Sequence, residues 1–596
     1  ITKGSRQFGL QQRGPDSLEF YIYTNKYHSL KAALPSNWEN SWHSLLAVYD
    51  GESMQLSIDG KIEAKGKASG SIRNFPFPVN IGRNAEIHGQ ETNVYICDAI
   101  IDRVGIFGKD FDGTISPAKA LLWLDFEEET DEGEFFSHGI GARTYGSIWP
   151  DRRVQPEMWQ MKKTTQPLSF RWIDIAAAEV EISNRNHFTS SAQYEISWTL
   201  EADGQTLRQG GTLPTNIAPL SSAIVKLPLT QPDLQPGAEY RIGLRAVLKQ
   251  AEAWAPAGHE VAWEQLELPW HKAAEAVEEA PPVSLVDADG HFTVAGKGFA
   301  YTFCKARGLL LSILIDGEEA LISSPKLNVW RAPLANEQDA WNSHSVHSPD
   351  RAPGYGQQVA AEFYEAGLDN ITRVPLSVEA FERNGKAHLR VRNLSMTGAS
   401  TSDKPDPYTR GISYNGFEEQ YDYTIDGNGT LRLAHTITPA GRMPLWLPRI
   451  GITMTLHKRF AQVEWYGRGP QENYPDRKSG YRIGLFRSSV DDMYEPYLIP
   501  QDHGLRTDNR RLRLADAAER SLTFTSDAPF NFNLSRFSTD NLTKATYTYQ
   551  LRRQEGLTLN IDYATSGVGC TARSIFPAYR AYPQQYARVL EIKIGR

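Results

Sequence analysis

Apolar and polar residues alternate along most of this chain with a period of two. Residues 54–58 (MQLSI) alternate in this way, and the dipeptide Asp59-Gly60 separates them from a second alternating stretch. Alternation predicts strands with one buried face, and an Asp-Gly or Asn-Gly dipeptide between two such runs is typical of a tight hairpin. The same order recurs at Asp203-Gly204, Asn384-Gly385 and Asp426-Gly427. The pattern predicts an all-β protein made of antiparallel strands.

Long helical segments that alternate with strands are not visible in the sequence. A (β/α)₈ barrel would need them over about 250 residues, so the pattern argues against a complete barrel in this chain. The length of 596 residues is too great for one hydrophobic core. With domains of about 100–200 residues, we expect three or four of them.

Composition and charge narrow the classes of partner. The net charge is −8 and is spread along the chain, whereas a nucleic-acid binder usually presents a basic face, so no nucleic-acid partner is expected. No run of about 18 apolar residues occurs, so no membrane partner is expected either.

Cys97, Cys304 and Cys570 are too far apart to indicate a disulfide framework or a zinc site. No His, Asp or Glu cluster has the spacing of metal ligands, and we assign no metal site and no cofactor to this chain.

The N-terminal segment carries the first family resemblance. Residues 42–51 (WHSLLAVYDG) and 79–84 (VNIGRN) resemble laminin-G-like, concanavalin A-like jelly rolls. Such modules often bind glycans or proteins, although the same residues also describe ordinary strand and turn packing. Members of this class place one or two strands before a segment like residues 3–10. We therefore expect a jelly roll that is truncated at its N-terminus. Either the sequence begins inside the domain or an upstream piece completes the sheet, because an unpaired edge strand would otherwise be exposed.

A second resemblance begins at residue 139. Residues 139–152 (GIGARTYGSIWPDR), followed by 155–157 (QPE), are similar to the exit from the catalytic barrel of glycoside hydrolase family 2 β-galactosidases. In that family the chain then enters a small immunoglobulin-like sandwich. Residues 121–126 (LLWLDF) are either the returning barrel strand or a closing strand of the jelly roll.

The strongest resemblance lies in the C-terminal half, where five motifs occur in order. They are residues 331–337 (RAPLANE), 467–477 (GRGPQENYPDR), 492–497 (DMYEPY), 503–506 (HGLR) and 532–536 (FNLSR). Together they resemble the C-terminal domain of family 2 β-galactosidases, a large super-sandwich similar in fold to galactose mutarotases. Within the second motif we interpret Asp476 and Arg477 as residues that fix the turn by pairing across it.

These resemblances, with acidic runs at 127–132 and around 273–280, predict the domain order. We expect a jelly roll over residues 1–118, an acidic connector resembling the barrel exit over 119–152, an immunoglobulin-like β-sandwich over 153–270, a linker over 271–282, and the β-galactosidase small-chain super-sandwich over 283–596.

Retaining hydrolysis of a glycoside needs two carboxyl groups about 5–5.5 Å apart. The family places both glutamates on barrel strands, which we expect upstream of residue 1, so we assign no catalytic residue here. The resemblance does suggest substrate-rim candidates: Asp502, His503 and Arg506 in a rim loop, and Cys570 and Arg573 in a second loop. Well-known members carry a substrate-stacking Trp in that second loop, which is absent here, and we therefore expect a β-galactoside other than lactose.

The resemblance implies the C-terminal portion of a retaining β-galactosidase that hydrolyses terminal β-galactosides in carbohydrate catabolism. We expect this chain to be inactive alone and to complete the pocket rim when joined by the missing N-terminal, barrel-bearing half. For the intact enzyme the resemblance implies magnesium, sodium, a homo-oligomer and a periplasmic or secreted location. Two alternatives stay open: a non-catalytic carbohydrate-binding protein that uses the jelly roll, and a mutarotase that uses His503 and Glu472 as its acid/base pair.

Overall fold

A computed structural model describes residues 1–4, 6–73, 79–82, 84, 97, 99–126, 147–149, 151–214, 216–274, 279–334, 337, 359–397, 415–497, 500–545, 548–569 and 575–595. The chain divides into two compact units. The first comprises residues 1–143 with 337–361, and the second comprises 144–336 with 362–596. Within the described residues, none of the helices has the length and apolar character required to cross a membrane.

The first unit contains short antiparallel strands. They are β1 (Thr2–Lys3), β2 (Phe8–Gln12), β3 (Ser17–Tyr23), β4 (Tyr27–Ala33), β5 (Leu45–Tyr49), β6 (Ser53–Ile58), β7 (Lys61–Lys67), β8 (Val104–Phe107) and β9 (Ala120–Leu124). They form sheets β1-β2-β3-β4, β5-β6-β7 and β8-β9. Because β9 pairs antiparallel with β8, residues 121–124 lie in a sheet of this unit. The alternative of a returning barrel strand receives no support.

The second unit begins with helix α1 (Pro156–Thr164) and a β-sandwich. The strands are β10 (Leu168–Asp174), β11 (Glu179–Asn184), β12 (Tyr194–Ala202), β13 (Gln205–Leu213), β14 (Ser222–Lys226), β15 (Tyr240–Leu248) and β16 (Glu260–Leu268). A three-stranded sheet, β10-β11-β14, and a four-stranded sheet, β13-β12-β15-β16, enclose one apolar core. Trp198 and Ile242 are buried in this core.

The remaining strands belong to the C-terminal sandwich. They are β17 (Ser284–Ala288), β18 (His291–Gly296), β19 (Phe299–Cys304), β20 (Leu309–Ile315), β21 (Glu318–Glu319), β22 (Leu321–Asn328), β23 (Ile371–Arg383), β24 (Lys386–Thr397), β25 (Gly416–Ile425), β26 (Leu431–Ala440), β27 (Arg449–His457), β28 (Gln462–Gly469), β29 (Arg482–Ser489), β30 (Arg506–Ala515), β31 (Ser521–Ser535), β32 (Gly556–Thr565) and β33 (Tyr586–Gly595). Helices α2 (Val359–Glu365) and α3 (Thr539–Lys544) lie between strands of this series. The larger sheet has the order β22-β27-β32-β31-β33-β26-β25-β24-β23, and β28 pairs with β29 and β30, which joins β31.

The all-β class predicted from the alternation is confirmed. Three of the predicted hairpins have the expected two-residue turns; in each, the Asp or Asn and the following Gly both have positive φ, as at Asp59 (52°) and Gly60 (76°). The fourth is longer than predicted: after Ile425 the Asp426 carboxylate accepts backbone N–H groups of Asn428 and Thr430, and Gly429 takes the positive φ. The five domain bounds stay predictions.

The two sandwiches of the second unit are joined by close backbone and polar contacts. The Gly204 turn reaches Gly484 on β29, where an added Cβ would lie 2.6 Å from the Gly484 Cα. The Gln265 side chain both donates to Ile483 O at 2.9 Å and accepts from Ile483 N at 2.7 Å. Arg241 donates to the Tyr466 hydroxyl at 2.8 Å. These contacts with β28 and β29 therefore hold the immunoglobulin-like sandwich on the C-terminal sandwich.

Candidate functional site

Three loops of the C-terminal sandwich converge. We call them the anchor turn (residues 470–481, between β28 and β29), the rim loop (501–506, before β30) and the glycine loop (566–569, after β32). Asn473 of the anchor turn donates its backbone N–H to Leu505 O at 2.9 Å, and its side-chain oxygen accepts from Thr507 N at 3.1 Å. Asn473 therefore joins the anchor turn to the rim loop through its backbone and to the start of β30 through its side chain.

Asp502 holds the rim loop to the sheet. Both carboxylate oxygens accept hydrogen bonds from Arg449, at 3.0 and 3.1 Å, and the Tyr474 hydroxyl donates to one of them at 2.8 Å. The Asp502 backbone N–H donates to Ala332 O at 3.0 Å. Both of its oxygens are hydrogen-bonded and only 4% of its surface is exposed, so Asp502 fixes the rim loop to Arg449 of β27.

Arg449 lies between two buried carboxylates. Besides Asp502, it faces Asp562, with 3.6 Å between Arg449 Nε and the nearer Asp562 oxygen. Burial opposes the charge of Arg449, but the two carboxylates hold its pKa above the ordinary value. Burial raises the pKa of Asp562 to about 6 in spite of Arg449. Asp502, Arg449 and Asp562 thus form a buried, charged network, and removal of one charge would leave another unpaired.

A second ionic cluster joins the anchor turn to helix α1. Arg477 donates to both Glu157 and Glu472, and the Tyr497 hydroxyl donates to Glu472 at 2.6 Å. Burial works against the Arg477 charge, yet Tyr497 and the two carboxylates hold its pKa well above the ordinary value. The other Glu472 oxygen accepts the Gly504 N–H. Glu472 is therefore a structural anion that binds the rim loop to the anchor turn.

The glycine loop is held by one cation and one anion. The Arg331 guanidinium donates to the carbonyls of Ser566 at 2.8 Å and Gly567 at 3.0 Å. Asp476 accepts the N–H groups of Val568 at 2.9 Å and Gly569 at 2.7 Å. A Cβ at Gly567 would lie 2.4 Å from the Asp476 carboxyl carbon, so this close approach requires glycine. The course of the glycine loop is therefore set by side chains distant in the sequence.

Glu495 connects the motif at 492–497 to the segment before α1. The Trp149 indole N–H donates to Glu495 at 2.7 Å, and the Trp149 ring meets Tyr497 edge-on at 5.6 Å. Burial, followed by the charge of nearby Glu472, raises the pKa of Glu495 to about 7. Such a carboxyl is partly protonated near neutral pH, so it can donate as well as accept a hydrogen bond.

The structure places the predicted rim candidates as follows. Asp502, His503 and Arg506 come together in the rim loop, and each exposes no more than 4% of its surface. The His503 ring contacts Gln501 O at 3.1 Å, and burial lowers its pKa. Cys570 and Arg573 lie outside the described residues. Direct substrate contact by any of the five stays a prediction.

Sequence reasoning missed several of the residues that organise these loops. The predicted pairing of Asp476 with Arg477 is wrong: Asp476 accepts backbone N–H groups, whereas the longer Arg477 reaches two carboxylates. Arg331 and Glu157 stand inside recognised motifs, but their partners lie more than 200 residues away. Their presence in the motifs singled them out, but the motifs did not indicate which residues they contact.

In the part of the chain that the structure describes, no group of three or more His, Cys, Asp or Glu side chains is arranged to hold a metal ion. The magnesium and sodium that the resemblance implies for an intact enzyme stay predictions.

The similarity to known proteins covers both sandwiches of the second unit. A family model described as "Beta galactosidase small chain" matches residues 295–592, and one described as "Beta-galactosidase, domain 4" matches residues 180–269. The beta-galactosidase of Priestia megaterium is 28% identical over 449 residues, which are 75% of this chain and 39% of that protein. The beta-galactosidase of Aeromonas hydrophila is 29% identical over 469 residues, 78% of this chain and 42% of that protein.

The chain thus spans about two fifths of the length of these curated relatives. Among solved structures, a galactose 1-epimerase from Lactobacillus acidophilus has a TM-score of 0.29 and 10% identity, covering 53% of this chain and 99% of its own. A putative aldose 1-epimerase from Escherichia coli has a TM-score of 0.26 and 7% identity, covering 52% and 99%. The small-chain model alone matches half of the sequence, and the chain accordingly belongs to the beta-galactosidase small-chain family.

Proposed function

We propose that this chain supplies the pocket rim of a retaining β-galactosidase whose catalytic carboxylates stand on a separate barrel-bearing segment. The observation that carries the proposal is the clamp on the glycine loop, where Arg331 binds two carbonyls and Asp476 binds two N–H groups. In the family that this chain resembles, the loop beginning here reaches the substrate. Four hydrogen bonds therefore fix the base of that loop, at residues 566–569.

The rim loop supports the same role. Arg449 donates to the Asp502 side chain of this loop, and Glu472 accepts its Gly504 N–H. The loop is therefore already ordered, and little further conformational entropy is lost when substrate binds. Pre-positioned groups raise the effective concentration of a substrate at the catalytic carboxylates and exclude water from it. The chain would thereby increase the rate of hydrolysis of a terminal β-galactoside in carbohydrate catabolism without providing an acid, base or nucleophile.

The test is reconstitution. The purified chain is assayed against a chromogenic β-galactoside alone and after addition of a barrel-bearing segment from a related β-galactosidase. We expect hydrolysis only in the mixture, with retention of the anomeric configuration observed by NMR. Hydrolysis by the chain alone would refute the proposal, and so would a mixture that forms a complex and stays inactive. No step here depends on the magnesium or sodium expected for the intact enzyme.

A second candidate function, non-catalytic glycan binding by the first unit, is favoured by Trp42. This side chain lies on the segment before β5 and exposes 68% of its surface. A flat exposed indole suits stacking on the apolar face of a sugar. Glycan-array binding that is lost in Trp42→Ala, with no turnover of the bound glycans, would support this function; unchanged binding by the variant would exclude Trp42 from it.

A further inference from the structure

Helix α1 packs against the end of the anchor turn. The Gln160 side chain donates to the Ser479 hydroxyl at 2.7 Å and accepts the Gly480 N–H at 2.9 Å. The Tyr481 hydroxyl donates to Pro156 O, in the first turn of the helix. Three consecutive residues of the anchor turn are thus hydrogen-bonded to one helix.

The backbones of the helix and the turn come into direct contact at Gly480. A Cβ added there would lie 2.8 Å from the Gln160 Cα and 2.8 Å from the Trp159 carbonyl oxygen, both of which belong to the helix backbone. The φ of Gly480 is not positive, so the conformation of the turn would accept other residues. It is the helix that leaves no room for a side chain at this position.

The part of the turn that binds α1 also holds the other two loops. Arg477 binds Glu157 of the helix, and its sequence neighbour Asp476 accepts two N–H groups of the glycine loop. Arg477 binds Glu472 as well, and the other oxygen of Glu472 accepts the Gly504 N–H of the rim loop. Both loops are therefore connected to α1 through one or two residues of the anchor turn.

The turn has a second attachment that does not involve α1. Arg468 of β28 donates to the carbonyls of Lys478 at 3.2 Å and Tyr481 at 2.8 Å. Lys478 in turn donates to Asp508 of β30 at 2.9 Å. Loss of the contacts with α1 would therefore leave the turn attached to the sheet, but with a changed position and greater mobility.

We propose that α1 positions the rim loop and the glycine loop, with Gln160 and Gly480 as positioning residues. The helix fixes the end of the anchor turn, and the carboxylates of Asp476 and Glu472 then place the two loops. Both positioning residues act through the turn and not by touching a substrate. The value of this placement for hydrolysis rests on the proposed function, whereas the placement itself is a property of this chain alone.

The first test is hydrogen–deuterium exchange, measured by mass spectrometry on the full chain without any added segment. Gly480→Ala inserts a methyl group between the turn and the helix. Gly211→Ala is the matched control, because Gly211 also lacks a positive φ and its added Cβ would meet no atom within 4 Å. In Gly480→Ala alone, peptides that contain the rim loop and the glycine loop should exchange about tenfold faster, as expected when one or two hydrogen bonds that hold a loop are weakened.

Peptides from the buried strands β12 and β27 distinguish positioning from general destabilisation. Their exchange should be the same in Gly480→Ala as in the wild type. Faster exchange throughout the second unit would overturn the proposal, because the glycine would then serve only the stability of the fold. Loop exchange that is equal in Gly480→Ala and Gly211→Ala would overturn it as well.

A second pair of variants tests Gln160, and it also serves if Gly480→Ala unfolds. Leucine at this position can neither donate nor accept, whereas a glutamate can accept both the Gly480 N–H and the Ser479 hydroxyl proton. We expect faster loop exchange in Gln160→Leu and wild-type exchange in Gln160→Glu. Gln193→Leu, which removes an exposed amide hydrogen bond to Thr189, is the control. Wild-type loop exchange in Gln160→Leu would exclude Gln160 from the role.

The reconstitution assay adds a functional measurement. With the barrel-bearing segment present, kcat/KM should fall about tenfold for Gly480→Ala and Gln160→Leu and stay unchanged for the two controls. A fall in kcat/KM without faster loop exchange would overturn the positioning role. If the wild-type mixture is inactive, the proposed function fails, while the exchange data still decide whether α1 positions the loops.

Discussion

Asp476 accepts the backbone N–H of Gly569 at 2.7 Å, although the two residues are 93 positions apart. The same carboxylate accepts the N–H of Val568. The conformation of the anchor turn therefore determines where the chain leaves β32. A residue of the motif at 467–477 thus holds the end of the glycine loop.

Asp476→Asn should uncouple this contact while preserving the fold. An amide has one acceptor oxygen, so one of the two loop N–H groups loses its partner. A displacement of the loop by about 1 Å can reduce activity as much as 100-fold, and we expect kcat/KM of the reconstituted enzyme to fall by about 10- to 100-fold. Asp287→Asn, at an exposed residue paired with Lys305, is the matched control. Equal activity of the two variants would show that the clamp has no functional role.

Much of the fold was predictable because its determinants are local. A two-residue hairpin turn of type I′ requires positive φ at both positions, which favours Asp-Gly and Asn-Gly. Positive φ occurs at both positions of Asp59-Gly60, Asp203-Gly204 and Asn384-Gly385. Asp426-Gly427 differs because the Asp426 side chain caps a longer loop, a choice that the dipeptide alone does not reveal. Local chemistry predicts that a turn exists more reliably than it predicts the turn's length.

The candidate site was less predictable because its contacts are not local. Trp149 and Glu495 are 346 positions apart, and Arg331 and Gly567 are 236 apart. Single-sequence patterns carry no information on such pairs. The motif resemblance pointed to the rim loop and the glycine loop, but it indicated rim groups where the structure shows Asp502 and Arg506 buried. Burial depends on the complete sheet, which no one motif specifies.

Arg477→Met should destabilise the second unit. The variant leaves Glu472, which is 2% exposed, and Glu157 without their cation, and breaking a buried ion pair by removing one partner costs about 3–5 kcal/mol. Arg487→Met is the matched control, because Arg487 is 79% exposed in its pair with Glu464 and such pairs contribute about 0–1 kcal/mol. Urea titrations followed by fluorescence should show the lower midpoint for Arg477→Met alone. Equal midpoints would contradict the structural role of the cluster.

Glu495 should make stability depend on pH near neutrality. Its pKa rises from 4.5 to about 7 in the folded chain, so between these values the native state binds more protons than the unfolded state. The free energy of unfolding then decreases as pH rises through this interval, and the contribution present at low pH is lost above about 7. Asp562 acts in the same direction up to about pH 6, whereas the lowered pKa values of His503 and of the N-terminal amine act in the opposite direction, so the contribution of Glu495 is the difference between the wild type and a Glu495 variant between about pH 6 and 8.

The Glu495 prediction is tested by comparing urea midpoints of the wild type and Glu495→Gln across that interval. The variant should lose less stability than the wild type as pH rises. Glu555→Gln controls for charge removal, because the pKa of Glu555 is lowered by Lys458 and this residue does not titrate there. Parallel profiles for the wild type and Glu495→Gln would show that Glu495 ionises normally.

Gly204→Ala should separate the cost of a strained turn from the cost of a clash between sandwiches. Gly204 and Gly60 both follow an Asp in a two-residue hairpin turn, with φ of 74° and 76°. An alanine in this conformation costs about 1–2 kcal/mol at either site. At Gly60 the added Cβ meets no atom within 4 Å, whereas at Gly204 it would lie 2.6 Å from backbone atoms of Gly484 and Leu485. Backbone cannot move aside as a flexible side chain does, so Gly204→Ala should cost at least about 2 kcal/mol more than Gly60→Ala.

Urea denaturation of both variants measures the difference, and the Gly204 variant should also show faster proteolysis between the sandwiches. Equal losses would mean that the turn does not press on β29 and that the polar contacts of Gln265 and Arg241 hold the two sandwiches together without it.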